Sequence, residues 1–138
     1  MENDTAQDGL ATVLIVDDAE ASASALELAC AAIPGIAVST VSSALDAVRI
    51  LRDRGPSVRA IFTDIRMPHM SGFDLIRFIR ADPNLAATPV IVVTADTDPD
   101  TPALSALLGA NAYFSKPFSP REVRETLERL IHGNPSAD

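Results

Sequence analysis

The sequence has 138 residues, 47% of them hydrophobic and 22% charged, a balance typical of a single soluble globular domain. Its formal net charge of −8 argues against direct binding to nucleic acid, and its single cysteine, Cys30, excludes an intramolecular disulfide. No apolar run approaches membrane-spanning length and the first nine residues do not resemble a secretion signal, so we expect a cytoplasmic protein without a membrane partner.

Short apolar runs alternate with helical patterns along the chain. The predicted strands cover 12–16, 36–41, 60–63, 90–94 and 112–115. The predicted helices cover 19–32, 43–54, 72–81, 102–108 and 119–132. Five such units predict an α/β fold, a doubly wound five-stranded parallel sheet with helices on both faces. We place this domain at residues 10–132, between polar tails at 1–9 and 133–138.

Several predicted helix ends carry capping signals. Ser43 and Asp46 have the spacing of a capping box, and Ser119 opens the last helix in a similar way. Thr101 is predicted to cap the short fourth helix, which Gly109 ends.

Chemically distinctive residues follow four of the predicted strands. Asp17 and Asp18 follow the first strand, Asp64 the third and Lys116 the fifth, while Thr94 ends the fourth. The carboxyl ends of parallel strands lie at one edge of a sheet, which is where α/β folds bind ligands. A glycine-rich phosphate loop is absent from the sequence, which disfavours a nucleotide site.

Converging carboxylates repel one another unless protons or a cation neutralise them. Oxygen ligands of this kind suit Mg2+, and an Asp carboxylate can act as a nucleophile towards phosphoryl groups. Lys116 is the single lysine among eleven basic residues, and its compact ammonium suits a tight pocket of carboxylate and phosphate oxygens better than an arginine fork. The pattern therefore favours phosphoryl chemistry at this edge.

Each of these residues also has an ordinary interpretation. The Asp17-Asp18 pair could cap a helix, Asp64 could be a turn residue, Thr94 could simply end a strand, and Tyr113 could pack half-buried on the sheet. These separate interpretations do not explain why all the polar residues occur at the same end of the sheet.

Taken together, these motifs resemble the response-regulator receiver domains of two-component signalling over residues 11–132. The resemblance rests on VLIVDD at 13–18, DIRMP at 64–68, Gly72, Thr94-Ala95, and Tyr113 followed by KPF at 116–118. It implies the strand order 2-1-3-4-5 seen in a chemotaxis regulator of this family.

The resemblance also implies that Asp64 accepts a phosphoryl group from a histidine kinase or a histidine phosphotransfer protein. Asp18 would bind Mg2+ directly and Asp17 largely through water, and the metal site would also include Asp64 and the backbone carbonyl of Arg66. Such a chain would catalyse only its own phosphorylation and dephosphorylation, and so would not be an enzyme in the usual sense.

The remaining roles concern the switch. Thr94 and Lys116 would contact the phosphoryl oxygens, and Tyr113 would be the aromatic residue that moves on phosphorylation. We further predict a cis peptide bond between Lys116 and Pro117, with the ammonium directed at Asp64. The side chain of Arg66 is expected to pair with Asp17 or with the phosphoryl group, or to be solvated.

Two other functions are compatible with parts of the pattern. A phosphatase-type hydrolase with an Asp nucleophile commonly has a second Asp two residues later, where this chain has Arg66. A receiver-like interaction module that is never phosphorylated would not need the complete set of acidic, Thr and Lys residues. Both are therefore less favoured than the signalling switch.

The predicted output surface involves the fourth helix. Residues 102–108 include no charged side chain, although a short surface helix needs only one apolar stripe. We expect the surface formed by the fourth helix, the fifth strand and the last helix to bind a downstream protein or a second copy of the chain.

Overall fold

Five parallel strands form the centre of the molecule, in the order β2-β1-β3-β4-β5. The computed structural model describes residues 11–132, and the predicted tails at 1–9 and 133–138 lie outside the described residues, as does residue 10. The strands are β1 Ala11–Val16, β2 Ile36–Val41, β3 Val58–Thr63, β4 Val90–Thr94 and β5 Ala112–Ser115. The helices are α1 Glu20–Ala31, α2 Ala44–Arg54, α3 Gly72–Ala81, α4 Thr101–Leu108 and α5 Pro120–His132. The predicted fold class and strand order are confirmed.

The continuous apolar run in β1 reflects burial of the strand on both faces. Leu14 and Val16 pack into the core layer beneath α2 and α3, whereas Val13 and Ile15 pack into the layer beneath α1 and α5. All four side chains are fully buried. Alternate residues of a strand point to opposite faces, so a strand between two helical layers needs apolar residues at every position.

The structure confirms two of the predicted helix caps. The hydroxyl of Ser43 accepts a hydrogen bond from the Asp46 amide (3.1 Å), and that of Ser119 accepts one from the Glu122 amide (3.2 Å). The prediction for Thr101 is wrong, because α4 begins at this residue and its hydroxyl donates to the Asp96 carboxylate instead of accepting from the helix backbone.

Other sequence predictions concern single residues. Gly109 ends α4 with a φ of +114°, a backbone conformation that favours glycine. Cys30 is fully buried on the inner face of α1, and burial raises the pKa of its thiol to about 12, in keeping with a small core residue. None of the helices within residues 11–132 has the length and apolarity required to cross a lipid bilayer.

Arg80, at the end of α3, ties together the segments at the edge of the sheet opposite the predicted site. Its guanidinium donates to the backbone carbonyls of Ala86, Thr88 and Gly109 and to the side-chain oxygen of Asn111, over distances of 2.7 to 3.1 Å. The C-terminal end of α4 is therefore anchored by several charge-assisted hydrogen bonds.

Candidate functional site

Strand register places the acidic residues side by side. Val16, the last residue of β1, lies opposite Val41 of β2 and Thr63 of β3. Hydrogen bonds continue one residue beyond these pairs, since the Asp17 amide donates to the Val41 carbonyl and the Asp64 amide to the Val16 carbonyl, both at 3.1 Å. The two carboxylates therefore emerge at the same edge of the sheet.

Three carboxylates cluster at this edge. Asp17, Asp18 and Asp64 each place one carboxylate oxygen within 4.8 Å of the others. Asp17 and Asp64 are buried, with 3% and 8% of their surface exposed, while Asp18 is exposed. Burial raises the pKa of Asp17, and the nearby charge of Asp64 raises it further, against hydrogen bonds from the Ala19 amide and Lys116 that lower it.

Lys116 bridges the two buried carboxylates. Its ammonium donates to Asp17 Oδ2 at 3.0 Å and to Asp64 Oδ2 at 2.8 Å. Burial lowers the pKa of Lys116, but the hydrogen bonds and charges of the two carboxylates outweigh burial and raise it above its ordinary value. The Lys116–Pro117 peptide bond is cis, as predicted. The ammonium is therefore charged at neutral pH and directed at Asp64.

The charges of this cluster fit a divalent cation. The formal charges of three carboxylates and one ammonium sum to minus two, and carboxylate oxygens are ligands of the type that Mg2+ prefers. Asp64 is held in place from two sides, because Oδ1 accepts from the Ile65 amide at 2.6 Å while Oδ2 bonds to Lys116. The predicted participation of the Arg66 carbonyl remains a prediction.

Thr94 and Tyr113 line the next part of the edge. The Thr94 side chain is fully buried, and its hydroxyl oxygen accepts a hydrogen bond from the Asp96 amide at 3.2 Å. A hydroxyl that accepts this bond keeps its own proton available for another acceptor. Tyr113 is half-buried and borders a cleft of about 350 Å³ that is also lined by Thr94 and Lys116. Burial raises the pKa of the Tyr113 phenol, and so do the charges of Asp96 and Asp64.

The Arg66 side chain is 67% exposed, in keeping with the solvated arrangement expected from the sequence, but it also pairs with a carboxylate other than Asp17. Its guanidinium lies 3.2 Å from the carboxylate of Asp96, which also accepts a hydrogen bond of 2.6 Å from Thr101. From the sequence alone, Asp96 is predicted only to lie in the loop after the fourth strand. Arg66 and Asp96 have opposite charges, and each follows a site residue, Asp64 or Thr94, by two positions. This signal is present in the sequence, but no sequence pattern indicates that the two loops meet.

Gly72 allows α3 to begin against the main chain of Asp64. A Cβ atom at this position would collide with the Asp64 carbonyl oxygen, and the Gly72 amide donates to the Ile65 carbonyl at 2.9 Å. Ser71 and Asp74 form a capping box at the same helix start, which their spacing in the sequence could have revealed. The loop that carries Asp64 is thus packed directly on the first turn of α3.

Comparisons with known proteins point to one family. The family model described as the response regulator receiver domain matches residues 13–128. The transcriptional regulatory protein GltR of Pseudomonas aeruginosa is 33% identical over 120 residues, which is 87% of this chain and 48% of that protein. The chemotaxis protein CheY of the same organism is 40% identical over 71 residues, 51% of this chain and 57% of that protein. The chain thus spans about half the length of these curated relatives.

Solved structures agree with this assignment. The signal receiver domain of a signal transduction histidine kinase from Syntrophus aciditrophicus has a TM-score of 0.80 and 28% identity, covering 93% of this chain and 95% of that one. A response regulator receiver protein from Pseudomonas putida has a TM-score of 0.77 and 32% identity, covering 87% of this chain and 97% of that one.

Replacing Gly72 with Ala tests the packing of the Asp64 loop on α3. Alanine normally stabilises a helix by up to about 1 kcal/mol relative to glycine. Here we expect Gly72→Ala to lower the free energy of unfolding by about 1–3 kcal/mol, because the added methyl group collides with buried main chain. Urea denaturation of the two proteins shows whether the substitution lowers or raises the free energy of unfolding. Ser24→Ala, at an exposed position of α1, is the control and should be neutral or slightly stabilising; a stabilising Gly72→Ala would contradict the packing argument.

Proposed function

This chain belongs to the response regulator receiver domain family, and from that premise we propose that it is a signalling switch phosphorylated on Asp64 by the phosphohistidine of a partner kinase or phosphotransfer protein. One observation carries the choice of Asp64. Its carboxylate lies at a strand end, is held by the Ile65 amide, and has the Lys116 ammonium at 2.8 Å. Phosphoryl transfer depends mainly on such positioning and on neutralisation of charge.

In the transfer, an Asp64 carboxylate oxygen forms a bond to phosphorus while the phosphorus–nitrogen bond of the phosphohistidine breaks. The imidazole leaves with the electron pair of that bond and takes up a proton from water. Lys116, already at the carboxylate, stays beside the transferred group and neutralises part of its charge. The Thr94 hydroxyl has a proton to donate to a phosphoryl oxygen, since its own oxygen accepts from the Asp96 amide.

A divalent metal fits the same edge. Asp17, Asp18 and Asp64, together with the carbonyl of Arg66, would hold Mg2+, which when bound supplies the positive charge that three carboxylates and a phosphoryl group require. This chain's part is to gather the oxygen ligands on two adjacent loops, those after β1 and β3, and to keep Lys116 between the two buried carboxylates.

The proposed output begins at Tyr113, which lies on β5 three residues before Lys116. Recruitment of the Thr94 hydroxyl by the phosphoryl group would leave space in the cleft that Tyr113 borders, and the ring would move inward. Packed side chains change between discrete arrangements, so the response is two-state. A surface that includes α4, β5 and α5 then changes its affinity for a partner.

Labelling by acetyl phosphate tests the nucleophile. We expect the native chain to become phosphorylated in the presence of Mg2+ and the Asp64→Asn variant to remain unlabelled, because an amide is not a nucleophile for phosphorus. Chelation of Mg2+ should suppress labelling of the native chain. Asp74→Asn, an exposed substitution on the neighbouring helix, is the matched control and should label normally; phosphate on the Asp64→Asn protein would refute the assignment.

The single tyrosine makes the switch directly observable. The sequence has one Tyr and no Trp, so intrinsic ultraviolet fluorescence reports on Tyr113 alone. We expect beryllofluoride with Mg2+, a phosphoryl mimic, to change this fluorescence in the native chain as the ring moves, and to leave Asp64→Asn unchanged. An unchanged signal in a native chain that has demonstrably bound the mimic would show that Tyr113 does not switch.

Leu107 tests the proposed output surface. Its side chain is 82% exposed on α4, a helix without charged residues, and exposed apolar surface of this kind favours a protein contact. We expect Leu107→Asp to weaken phosphorylation-dependent self-association, or binding to a downstream protein, about tenfold or more without affecting Asp64 labelling. Analytical sedimentation of the phosphorylated chain measures its self-association. Leu28→Asp, at a 75% exposed position on α1, is the control, and a larger effect of that variant would move the output surface to α1.

A further inference from the structure

Asp96 lies where three parts of the molecule meet. Its backbone amide donates to the Thr94 hydroxyl at the end of β4, and its carboxylate accepts from the Thr101 hydroxyl in the first turn of α4. The same carboxylate pairs at 3.2 Å with Arg66, which is two residues after Asp64 in the loop between β3 and α3. The Asp96 side chain is only 8% exposed, whereas the Arg66 side chain is 67% exposed, so the ion pair is partly open to solvent on the arginine side. The hydroxyl of Thr101 and the Asp98 amide lower the pKa of this carboxyl, which keeps it charged.

The contacts of Asp96 matter because one of them, with Thr101, attaches the first turn of α4 to the rest of the molecule. The buried residues of this helix are Thr101 and Ser105, with Leu104 and Leu108 half-buried on the same face, while Leu107 is exposed. The Ser105 hydroxyl is buried without a hydrogen-bond partner among the described residues. Because the two fully buried residues of α4 carry hydroxyl groups, its apolar burial comes mainly from Leu104 and Leu108, and polar contacts at the two ends of the helix add to its attachment.

These two ends differ in their relation to the phosphorylation site. At the C-terminal end, Arg80 donates twice to the Gly109 carbonyl, at the opposite edge of the sheet from Asp64. At the N-terminal end, Asp96 holds Thr101 and is itself held by Arg66, beside the site. The N-terminal attachment includes Arg66, which follows Asp64 by two residues in the same loop.

We propose that Asp96 is the positioning residue through which phosphorylation of Asp64 reaches α4. In the unphosphorylated chain, Asp96 holds the Arg66 guanidinium and the first turn of α4 in one arrangement. A phosphoryl group on Asp64 carries more negative charge than the Asp96 carboxylate and competes for Arg66. Once Arg66 is drawn away, the first turn of α4 loses part of its support and the helix can shift about its Arg80 anchor. This inference rests on the proposed function and adds a second route to the output surface beside Tyr113.

The resting linkage can be measured without phosphorylation. We expect the backbone amides of residues 104–108 to exchange with solvent about two- to five-fold faster in Arg66→Gln than in the native chain, the range for loss of one partly exposed ion pair. Arg77→Gln is the control, since Arg77 is exposed to a similar extent as Arg66 and pairs with Asp74 at 3.1 Å on α3. Amides of α5 serve as an internal reference for global stability. If the α4 amides exchange equally fast in Arg66→Gln and in the native chain, Arg66 does not support α4 and the proposal is wrong.

A double-mutant cycle shows whether Arg66 acts through Asp96. Asp96→Asn keeps an acceptor for Thr101 but removes the charge that attracts Arg66. If the two residues act through their pair, the double variant should exchange no faster in α4 than Asp96→Asn alone. Independent, additive effects of the two substitutions would contradict the proposal.

The phosphoryl mimic separates failure of this inference from failure of the proposed function. With beryllofluoride and Mg2+, α4 exchange should rise in the native chain, rise less in Arg66→Gln, and stay constant in Asp64→Asn. If Tyr113 fluorescence responds and the rise in α4 exchange is equal in Arg66→Gln and the native chain, the inference is wrong and the function stands. If neither Tyr113 fluorescence nor α4 exchange responds in the native chain, transmission through Asp96 and the proposed function are both wrong. The double-mutant cycle in the unphosphorylated chain still shows whether Arg66 supports α4 through Asp96.

Discussion

The contact on which the rest of this structure depends is the bridge from the Lys116 ammonium to the buried carboxylates of Asp17 and Asp64. Two buried carboxylates side by side are unfavourable by themselves, because burial and mutual repulsion both oppose ionisation. The ammonium relieves part of this cost and orients both side chains. It also leaves a deficit of positive charge at the edge, which is the property a metal and phosphoryl site needs. The cluster of two carboxylates and one ammonium therefore already has, in the unphosphorylated chain, the charge that favours binding of a metal ion and a phosphoryl group.

The sheet makes this bridge possible. Asp17 follows β1, Asp64 follows the adjacent β3 and Lys116 follows β5, and parallel strands deliver their C-terminal residues to one edge. The two apolar layers above and below β1 and β3 hold these ends in register. Helix α4 stands apart from this plan, because it buries hydroxyl groups and exposes a leucine. The helix in the proposed output surface therefore depends partly on polar contacts for its attachment, and such contacts can be rearranged by a change of charge nearby.

Local signals accounted for most of the elements and for part of the site. Ser43 and Ser119 were recognised as caps because a hydroxyl three residues before an amide is a short-range pattern. Thr101 has the same local features, yet its hydroxyl bonds to Asp96, a competing acceptor that lies outside the helix. The ion pair of Arg66 could not be predicted from the sequence for a similar reason. Its expected partners were chosen from the site itself, whereas the nearest carboxylate belongs to the loop after β4. In both cases the partner of the side chain is a residue whose position depends on how separate segments pack together.

The sequence by itself determined the alternation of strands and helices, the doubly wound class, and the end of the sheet at which the acidic residues, Thr94 and Lys116 would meet. These follow from periodicity and from the rule that parallel strands end together, both of which act over short stretches of chain. Only the tertiary structure decided that Lys116 would bond to both Asp17 and Asp64, that Arg66 would join Asp96, and that α4 would face inward with Ser105 and outward with Leu107. Those outcomes depend on distances between residues far apart in the chain, and a difference of a few ångströms decides which charge or hydroxyl is the partner.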